Sequence, residues 1–481
     1  MCTDGVCISD GTEETGSTNA EMSADESNSA ENSSGDGDGD ATGDGDASGD
    51  GDGDASGDGD TSGDGDGDAT GDGDGDGDTS GGIYCGSDTP IITFSEIIST
   101  DTEPTYYPFA LKIGDVAGDN SMEIVVGGAD FLGVGSGRVQ VFQQTPEDDG
   151  LDPVAIFDWD AADLPDPPIG PDDKEFSDFL IHDLDEDFDP ELVILSRESM
   201  HWYTHGDPDI QLQGELVVST RLMGPVVGDF YGGGPDDIFF VHEPAGWEGS
   251  YVDVTQGGSI ELIDPAPSFL MGGRMTTGRS ADLAGNSRPD IVLLETGSDN
   301  GVGDEIFSVL LNDQPAGNAT FVRTDYDPQD DQPAELELFD VDGDTTIDIV
   351  LTTTGPDVTN PLDPPGKWAG TASNEGIHIF TNDGTGAFTH AQSILIADRM
   401  AGLASADFNC DGETDLIAGN YHGDVFFLAG DGAGNFADPV TVFAATGIAG
   451  VIETYDLNQD GRPDIVWPDV LGRKIRVAYQ D

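Results

Sequence analysis

The chain has 481 residues, with 98 Asp and Glu against 15 Lys and Arg, and its formal net charge is −83. Nucleic acids and anionic membrane surfaces would be repelled by this charge, which excludes both as partners and favours cations as ligands. No run of 18 apolar residues occurs, so the sequence predicts no transmembrane segment. A salty or calcium-rich habitat is the alternative explanation for the acidity outside the loops described below.

The N-terminal part of the chain is predicted to be disordered. Residues 1–82 contain 20 Asp and 5 Glu but no Lys or Arg, and they cannot bury enough apolar surface to offset the entropy of ordering. We divide this part into an acidic N-terminus, 1–34, and a Gly/Asp-rich linker, 35–82. The linker predicts a flexible stalk with a reach of about 35–40 Å. A low-affinity calcium or mineral sponge is the alternative.

Four cysteines bear on export. Cys2, Cys7, Cys85 and Cys410 show no zinc-binding spacing. Met-Cys followed by small and acidic residues resembles the start of a mature bacterial lipoprotein, which implies a lipid anchor at Cys2, although no apolar signal segment follows Met1. We therefore expect an extracellular or cell-surface protein. Cys85–Cys410 is a candidate disulfide, with unpaired cysteines as the alternative.

Residues 83–481 repeat one loop pattern seven times. The pattern is Asp at position 1, polar residues at positions 3 and 5 in the complete copies, an acid at position 9 and then an apolar, β-branched run. The copies begin at Asp115, Asp183, Asp229, Asp282, Asp340, Asp407 and Asp456. Oxygen ligands at these offsets converge on one point, and hard oxygen ligands without His or Cys select calcium. An EF-hand needs Glu at position 12 and flanking helices, so strand-forming residues after position 9 exclude it.

The copies differ in the ligands that they offer. The four complete loops offer Asp183, Asp185, Asp187 and Glu191; Asp340, Asp342, Asp344 and Asp348; Asp407, Asn409, Asp411 and Asp415; and Asp456, Asn458, Asp460 and Asp464. Two loops with alanine at position 3 are expected to bind more weakly, through Asp115, Asp119 and Glu123 and through Asp282, Asn286 and Asp290. The copy at Asp229 is expected to be empty. The alternative for every copy is an Asx-rich turn without metal.

Short apolar segments separate the loops and predict four antiparallel strands per copy. Seven such units arranged around an axis make an all-β, seven-bladed β-propeller, preceded by the disordered stalk. An open β-solenoid and an eight-bladed ring are the alternatives. Only two strands fit after the last loop, so we expect residues 90–98 to pair beside residues 473–479 and close the ring.

These loops, with connectors such as AGDGAGNF at 429–436, resemble FG-GAP/VCBS repeats, the family that also builds the propeller head of integrin α-subunits. The resemblance covers about residues 88–481. It implies a propeller of the integrin α N-terminal type that binds calcium through the loop residues on one face of the ring.

No HExxH, GxSxG or Walker sequence is present, so the sequence predicts no catalytic site. His201 and His205 form a candidate ligand pair, although ordinary strand-edge histidines explain them more simply.

We expect a monomeric, non-catalytic binding or adhesion module for an extracellular protein or glycan. Its expected contact loops lie at residues 243–257 and 354–374, which contain Trp247 and Trp368. A carbohydrate-active enzyme resembling polysaccharide lyases and a calcium-dependent lectin are the alternatives. Trp202, Trp247 and Trp368 would serve either as sugar-stacking or as core residues.

Overall fold

A computed structural model describes much of the chain from residue 92 to residue 480. The described residues are 92, 94–102, 106–130, 137–145, 150–159, 176–184, 188–196, 199–204, 210–217, 222–230, 235–242, 248–254, 260–262, 269–270, 274–296, 306–312, 321–328, 332–354, 374–396, 399–444 and 449–480. The predicted N-terminus, 1–34, and linker, 35–82, lie outside them. Within these ranges every regular element is a strand, so no helix is long and apolar enough to cross a membrane.

The strands are numbered in chain order. They are β1 (Phe94–Asp101), β2 (Tyr106–Gly114), β3 (Glu123–Asp130), β4 (Gly137–Thr145), β5 (Gly150–Trp159), β6 (Phe176–His182), β7 (Glu191–Ser196), β8 (Ser199–Thr204), β9 (Gln211–Val217), β10 (Leu222–Gly228), β11 (Asp237–His242), β12 (Glu248–Val254), β13 (Ile260–Leu262), β14 (Phe269–Leu270), β15 (Arg274–Ala281), β16 (Asp290–Thr296), β17 (Ile306–Asn312), β18 (Phe321–Tyr326), β19 (Pro333–Phe339), β20 (Asp348–Thr353), β21 (Gly376–Asn382), β22 (Phe388–Leu395), β23 (Met400–Ala406), β24 (Asp415–Asn420), β25 (Val425–Leu428), β26 (Val440–Phe443), β27 (Glu453–Tyr455), β28 (Asp464–Asp469) and β29 (Lys474–Gln480).

These strands form antiparallel sheets, numbered one to seven in chain order. Sheets one to six each use consecutive strands: β2–β5, β6–β9, β10–β14, β15–β18, β19–β22 and β23–β26. Sheet seven combines both ends of the described chain, in the order β1-β29-β28-β27. The first strand of each sheet contacts the first strand of the next, and β27 contacts β2. The all-β propeller arrangement is therefore confirmed.

Burial separates the inner strands from the outer ones. Every residue of β7, β20, β24 and β28 is buried, because these second strands are covered by a neighbouring sheet on both faces. Their sequences accordingly read as continuous apolar runs without alternation. The fourth strands β9 and β22 carry many exposed residues, because they form the outer edges of their sheets.

The core lies between neighbouring sheets. Trp467 of sheet seven is 1% exposed and its ring lies 5.3 Å from that of Phe443 of sheet six. Phe307 of sheet four and Phe380 of sheet five meet at 4.8 Å. Large side chains at these positions fill the wedge between two sheets, which holds each sheet at its angle to the next.

The predicted pairing of the two chain ends is present. β1 pairs with β29 in antiparallel register, with Ile98 opposite Val477 and Asp101 opposite Lys474. Beyond the pair, both the backbone N–H and the hydroxyl of Thr102 donate to the carbonyl of Arg473 at 2.9 Å. β29 therefore has no open edge.

Sheet three corrects one sequence-based expectation. Residues 243–257 were predicted to be a contact loop, but β12 lies within them and pairs with β11. The alternating, β-branched and aromatic sequence SYVDV explains this, because it favours a half-buried strand. Residues 260–262 (β13) are consequently the fourth strand of this sheet and pair with β12. Of the second predicted contact loop, 354–374, residues 355–373 lie outside the described residues.

Candidate metal centre

The acidic loops occupy the same place in every sheet. Each one joins the first strand to the second, as between β2 and β3 or between β19 and β20. In the described copies, the residue at position 6 adopts a left-handed backbone: φ is 64° at Asn120, 77° at Phe188 and 73° at Thr345. Of the described position 6 residues, two are glycine, Gly412 and Gly461; Gly234 of the copy at Asp229 lies outside the described residues. The loop therefore keeps its shape without glycine.

The aspartate at position 1 holds this shape. Its Oδ2 accepts the N–H of position 6, at 2.8 Å in the pairs Asp115–Asn120 and Asp340–Thr345. Its Oδ1 accepts the N–H of position 5, as Asp115 does from Asp119 at 3.1 Å. These hydrogen bonds offset the cost of a left-handed non-glycine residue, about 1–2 kcal/mol.

The acid at position 9 ties the loop to the third strand. Asp348 is fully buried, and one of its carboxylate oxygens accepts the N–H of Val341 in its own loop at 3.0 Å. The other accepts the N–H of Asn382 at the end of β21 at 2.8 Å. Asp290, Asp415 and Asp464 make the same two kinds of bond. This residue thus organises the blade in addition to offering an oxygen to a cation.

Burial raises the pKa of these acids. The pKa rises to about 7 for Glu123 and Asp464 and to about 6 for Asp290, Asp348 and Asp415. Their backbone N–H donors oppose the rise, and the neighbouring loop carboxylates add to it. A divalent cation among the carboxylates would compensate both the burial and the repulsion.

Among the described residues, two loops bring three carboxylates together. In each, one oxygen per residue lies within 4.8 Å of the others. The two groups are Asp115, Asp119 and Glu123, and Asp340, Asp342 and Asp348. The fourth predicted ligand of the second loop, Asp344, accepts hydrogen bonds from the N–H and hydroxyl of Thr346 and is not part of the group. Both groups have the hard oxygen donors that suit calcium or magnesium.

The loop at Asp115 was expected to be weaker because Ala117 stands at position 3. Its three carboxylates nevertheless meet, because the N–H of Ala117 donates to Glu123 at 3.0 Å. Gln143 of β4 also donates to Asp119 at 2.8 Å. This support from the third strand could not be predicted from the loop alone.

The remaining loops arrange their predicted ligands differently. The amide nitrogen of Asn409 donates to Asp411 at 2.9 Å and to Asp415 at 3.3 Å, and Asn458 likewise donates to Asp460 at 3.3 Å. In the loop at Asp282, the side-chain amide of Asn286 donates to the carbonyl of Asn312 at 3.3 Å. Rotation of these amides would present oxygen in place of nitrogen.

Two copies are only partly described. Asp185 and Asp187 lie outside the described residues, whereas the N–H of Leu184 donates to Glu191 and that of Phe188 to Asp183, both at 2.8 Å. In the copy at Asp229, Tyr231 and Gly233 also lie outside, and neighbouring Asp236 pairs with His182 at 2.8 Å.

Sequence reasoning missed a set of amides that join neighbouring sheets. The side chain of Asn382 donates to the carbonyl of Leu283, which is position 2 of the preceding sheet's loop, at 2.8 Å. Likewise, the side-chain amide of Asn312 donates to the carbonyl of Phe230 at 2.9 Å, and that of Gln480 donates to the carbonyl of Phe408. We call these residues the amide latches. The available signal was an amide followed by Asp at the end of three third strands, at 312–313, 382–383 and 480–481.

We expect Asn382→Ala to destabilise the protein by about 2–4 kcal/mol, because a buried side chain with several hydrogen bonds is lost. Besides the latch, its oxygen accepts the N–H groups of Gly384 and Gly386, both at 3.1 Å. Urea unfolding measures the change. Asn435→Ala is the control, because its bonds stay within its own exposed connector. Equal stability of the two variants would contradict an interblade role.

The first strands carry a second group of ionisable side chains near the axis, which we call the channel cluster. Its members are Lys112, Asp178, Arg279, Glu335, Glu337 and Glu453. Lys112 pairs with Glu453 at 2.6 Å, which joins sheets one and seven. Arg279 pairs with Glu337 at 2.9 Å, which joins sheets four and five. No histidine contributes to these described ion pairs.

Asp178 is the member of the cluster for which the described residues provide no ion-pair partner. Burial raises its pKa to about 6; the N–H of Phe179 and the charge of Lys112 oppose this, and Glu335 adds to it. Since the folded protein holds this proton more tightly than the unfolded chain, its stabilising contribution is present below about pH 4 and lost as the pH rises through 6. We expect Asp178→Asn to add up to about 3 kcal/mol of stability at pH 7.5.

Unfolding in urea at several pH values tests this expectation. The stabilisation by Asp178→Asn should be largely lost near pH 4, where the carboxyl is protonated in the folded protein and about half protonated in the unfolded chain. The exposed Asp438 provides a matched control. A stabilisation that is the same at both pH values would exclude ionisation of Asp178 as its cause.

The other residues singled out in the sequence have mixed outcomes. Trp202 is 9% exposed and packs in the core between sheets two and three, so it is a core residue. His201 is buried with Nε2 3.3 Å from Glu215, and His205, its proposed partner, lies outside the described residues together with Trp247 and Trp368. Cys410 is disulfide-bonded. Its pairing with Cys85 stays a prediction, because Cys85 is not described.

Comparison with known proteins agrees with this architecture. The sheets and acidic loops define an all-β propeller whose inner hairpins carry clustered oxygen ligands. Residues 407–467, around the sixth and seventh loops, match the family model of the FG-GAP-like repeat. Residues 407–467 therefore resemble an FG-GAP-like repeat, and the described strands form an all-β propeller.

A solved structure described as "Crystal structure of BBS1N in complex with ARL6DN, soaked with lead" is similar with a TM-score of 0.47 and 9% identity. The similarity covers 83% of this chain and 97% of that one. No curated protein matches the chain.

Proposed function

We propose that the protein is a calcium-binding β-propeller that acts as an exported, non-catalytic binding module. In this proposal the seven sheets are seven blades of one closed ring, and calcium occupies the loops between first and second strands. The observation that carries calcium binding is the pair of three-carboxylate groups on loops of the same construction. Three carboxylates within this distance repel one another unless a cation or proton lies among them.

Direct calcium binding is the test. Isothermal titration of the chelator-treated chain should show saturable sites with dissociation constants of order 0.1–1 mM, the range of extracellular calcium modules. The double variant Asp340→Asn, Asp342→Asn should lose one site and keep the others. Asp438→Asn alters an exposed acid outside the loops and should lose none. Equal stoichiometry in the two variants would reject the site at Asp340.

The role as a binding module is supported by the FG-GAP propeller fold and by the long acidic stalk predicted for residues 35–82. A folded ring on a flexible spacer suits display at a cell surface, where loops on the ring contact a protein or glycan. Protease treatment of intact cells that produce the chain tests display. We expect the protease to remove the propeller from intact cells. A propeller that is fully protected from the protease would lie inside the cell.

Binding to a glycan array distinguishes a calcium-dependent lectin from a protein-binding module. A calcium-dependent lectin would bind defined glycans with calcium and lose them on chelation. A protein-binding module would bind no glycan on the array and would bind an extracellular protein instead.

The channel cluster favours a second candidate function, a carbohydrate-active enzyme, because Lys112, Arg279 and several acids lie close together in it. Release of unsaturated products from acidic polysaccharides, abolished by Lys112→Met, would support it.

A further inference from the structure

Two histidines face each other on the outer half of sheet five. His378 lies on β21 opposite Ser393 of β22, and His390 lies on β22 opposite Phe380. The two imidazole rings are on one face of the hairpin, with centroids 6.0 Å apart. His378 is fully buried and His390 is half-buried, so one side of the pair is closed by the sheet while the other is open to solvent.

Their ring nitrogens converge on a single point. Nδ1 of His378 lies 2.8 Å from the hydroxyl oxygen of Ser393, and Nε2 of His390 lies 2.9 Å from the same atom. Ser393 can donate its one proton to only one of them at a time. The hydroxyl therefore stands where two imidazoles point, which is the position that a bridging ligand atom or ion would take.

The buried histidine is oriented by its second nitrogen. Nε2 of His378 lies 2.9 Å from the carbonyl oxygen of Asn374 and 3.2 Å from the hydroxyl of Thr353. A carbonyl only accepts hydrogen bonds, so the proton is on Nε2 and Nδ1 presents its lone pair toward Ser393. Histidines that bind metals are commonly held in this way, with the other ring N–H on a carbonyl.

The charge state of His378 agrees with this arrangement. Burial lowers the pKa of His378 to about 4; the bond to Asn374 opposes this shift and the neighbouring His390 adds to it. The ring is consequently neutral at physiological pH, which is the form that binds metal.

We propose that His378 and His390 form a site for a late first-row transition-metal ion, Cu²⁺, Ni²⁺ or Zn²⁺, with the Ser393 hydroxyl or water completing the coordination. Imidazole nitrogen suits these ions, whereas the carboxylate loops suit calcium. Metal–nitrogen bonds are about 2.0–2.1 Å long. An ion at the present position of the Ser393 hydroxyl, which would rotate aside to coordinate it or be replaced by water, would therefore need each nitrogen to approach by less than about 1 Å.

The test uses the full chain with calcium in excess, so that the carboxylate loops are occupied, and Cu²⁺ as the probe. We expect one Cu²⁺ per chain whose electron paramagnetic resonance spectrum shows coupling to two nitrogens. His390→Gln should weaken this binding at least about tenfold, because it removes a ligand. His182→Gln is the matched control, since this histidine pairs with Asp236 in another sheet. Ser393→Ala should retain the two-nitrogen signal, because water can take the place of the hydroxyl.

Unchanged Cu²⁺ affinity in His390→Gln, or a one-nitrogen spectrum of the native chain, would overturn the proposal. Should His390→Gln fail to fold, nitrogen NMR of the native chain with Zn²⁺ gives an independent answer. Zn²⁺ should shift Nδ1 of His378 and Nε2 of His390, the two nitrogens that face Ser393. Shifts at other nitrogens, or none, would reject the site.

Discussion

Chelating calcium with EGTA is expected to lower the melting temperature of the protein by on the order of 10 °C. Each site filled at ten times its dissociation constant stabilises the folded state by about 1.4 kcal/mol, so four sites contribute about 6 kcal/mol. This is comparable with the whole net stability of a typical domain. The loops also hold the third strands and the amide latches in place. Loss of calcium from the loops is therefore expected to weaken the contacts between sheets as well.

Calorimetry in calcium, in EGTA and in EGTA with excess calcium measures this effect. Excess calcium should restore the original melt, and magnesium should restore less of it, because it demands a smaller octahedral site and dehydrates reluctantly. The double variant Asp340→Asn, Asp342→Asn should melt lower in calcium than the native chain and respond less to EGTA. If EGTA leaves the melting temperature of the native chain unchanged, the loops are turns without metal.

Removing β1 is expected to destabilise the protein by a similar amount. A chain that begins at residue 102 lacks the outer strand of sheet seven and exposes the backbone of β29. It also loses the packing of Phe94 against Phe443, whose rings lie 5.4 Å apart. Six residue pairs and a large apolar side chain together correspond to about 5 kcal/mol. The open edge of β29 should in addition promote aggregation.

The matched control is a chain that begins at residue 83, which loses only the predicted N-terminus and linker. Its melting temperature should equal that of the full chain, and size-exclusion chromatography should show no larger species. If the chain that begins at residue 102 melts like this control, β1 does not close the ring.

Much of the fold was predictable because the repeated signal is local. Asp at position 1 and the acid at position 9 fall within one short loop, and the strand formers that follow them fix the second strand. The pairing of β1 with β29 also followed, from counting the strands left after the last loop. β12 was missed because Gly249 within it and the two glycines just after it, at 257–258, give this part of the sequence the composition of a loop.

The contacts between sheets were beyond sequence reasoning because their partners are far apart in the chain. Lys112 and Glu453 are separated by 341 positions, and Asn382 and Leu283 by 99. No local pattern identifies such partners. The position 9 acids illustrate the same point: their offset identified them as ligands, but their burial and their bonds to the third strand depend on the assembled blade.

The adjacency of β1 and β29 has a consequence for chain connectivity. Phe94 lies opposite Gln480, so the first and last strands of the described chain are neighbours in one sheet. A short linker from residue 480 to residue 94 would make the backbone circular, and new ends could then be opened in an exposed connector such as that between β25 and β26, where Asp431, Ala433 and Asn435 are exposed. Such a circular permutant would retain every sheet, because the ring is specified by contacts between blades and not by the blade that is synthesised first.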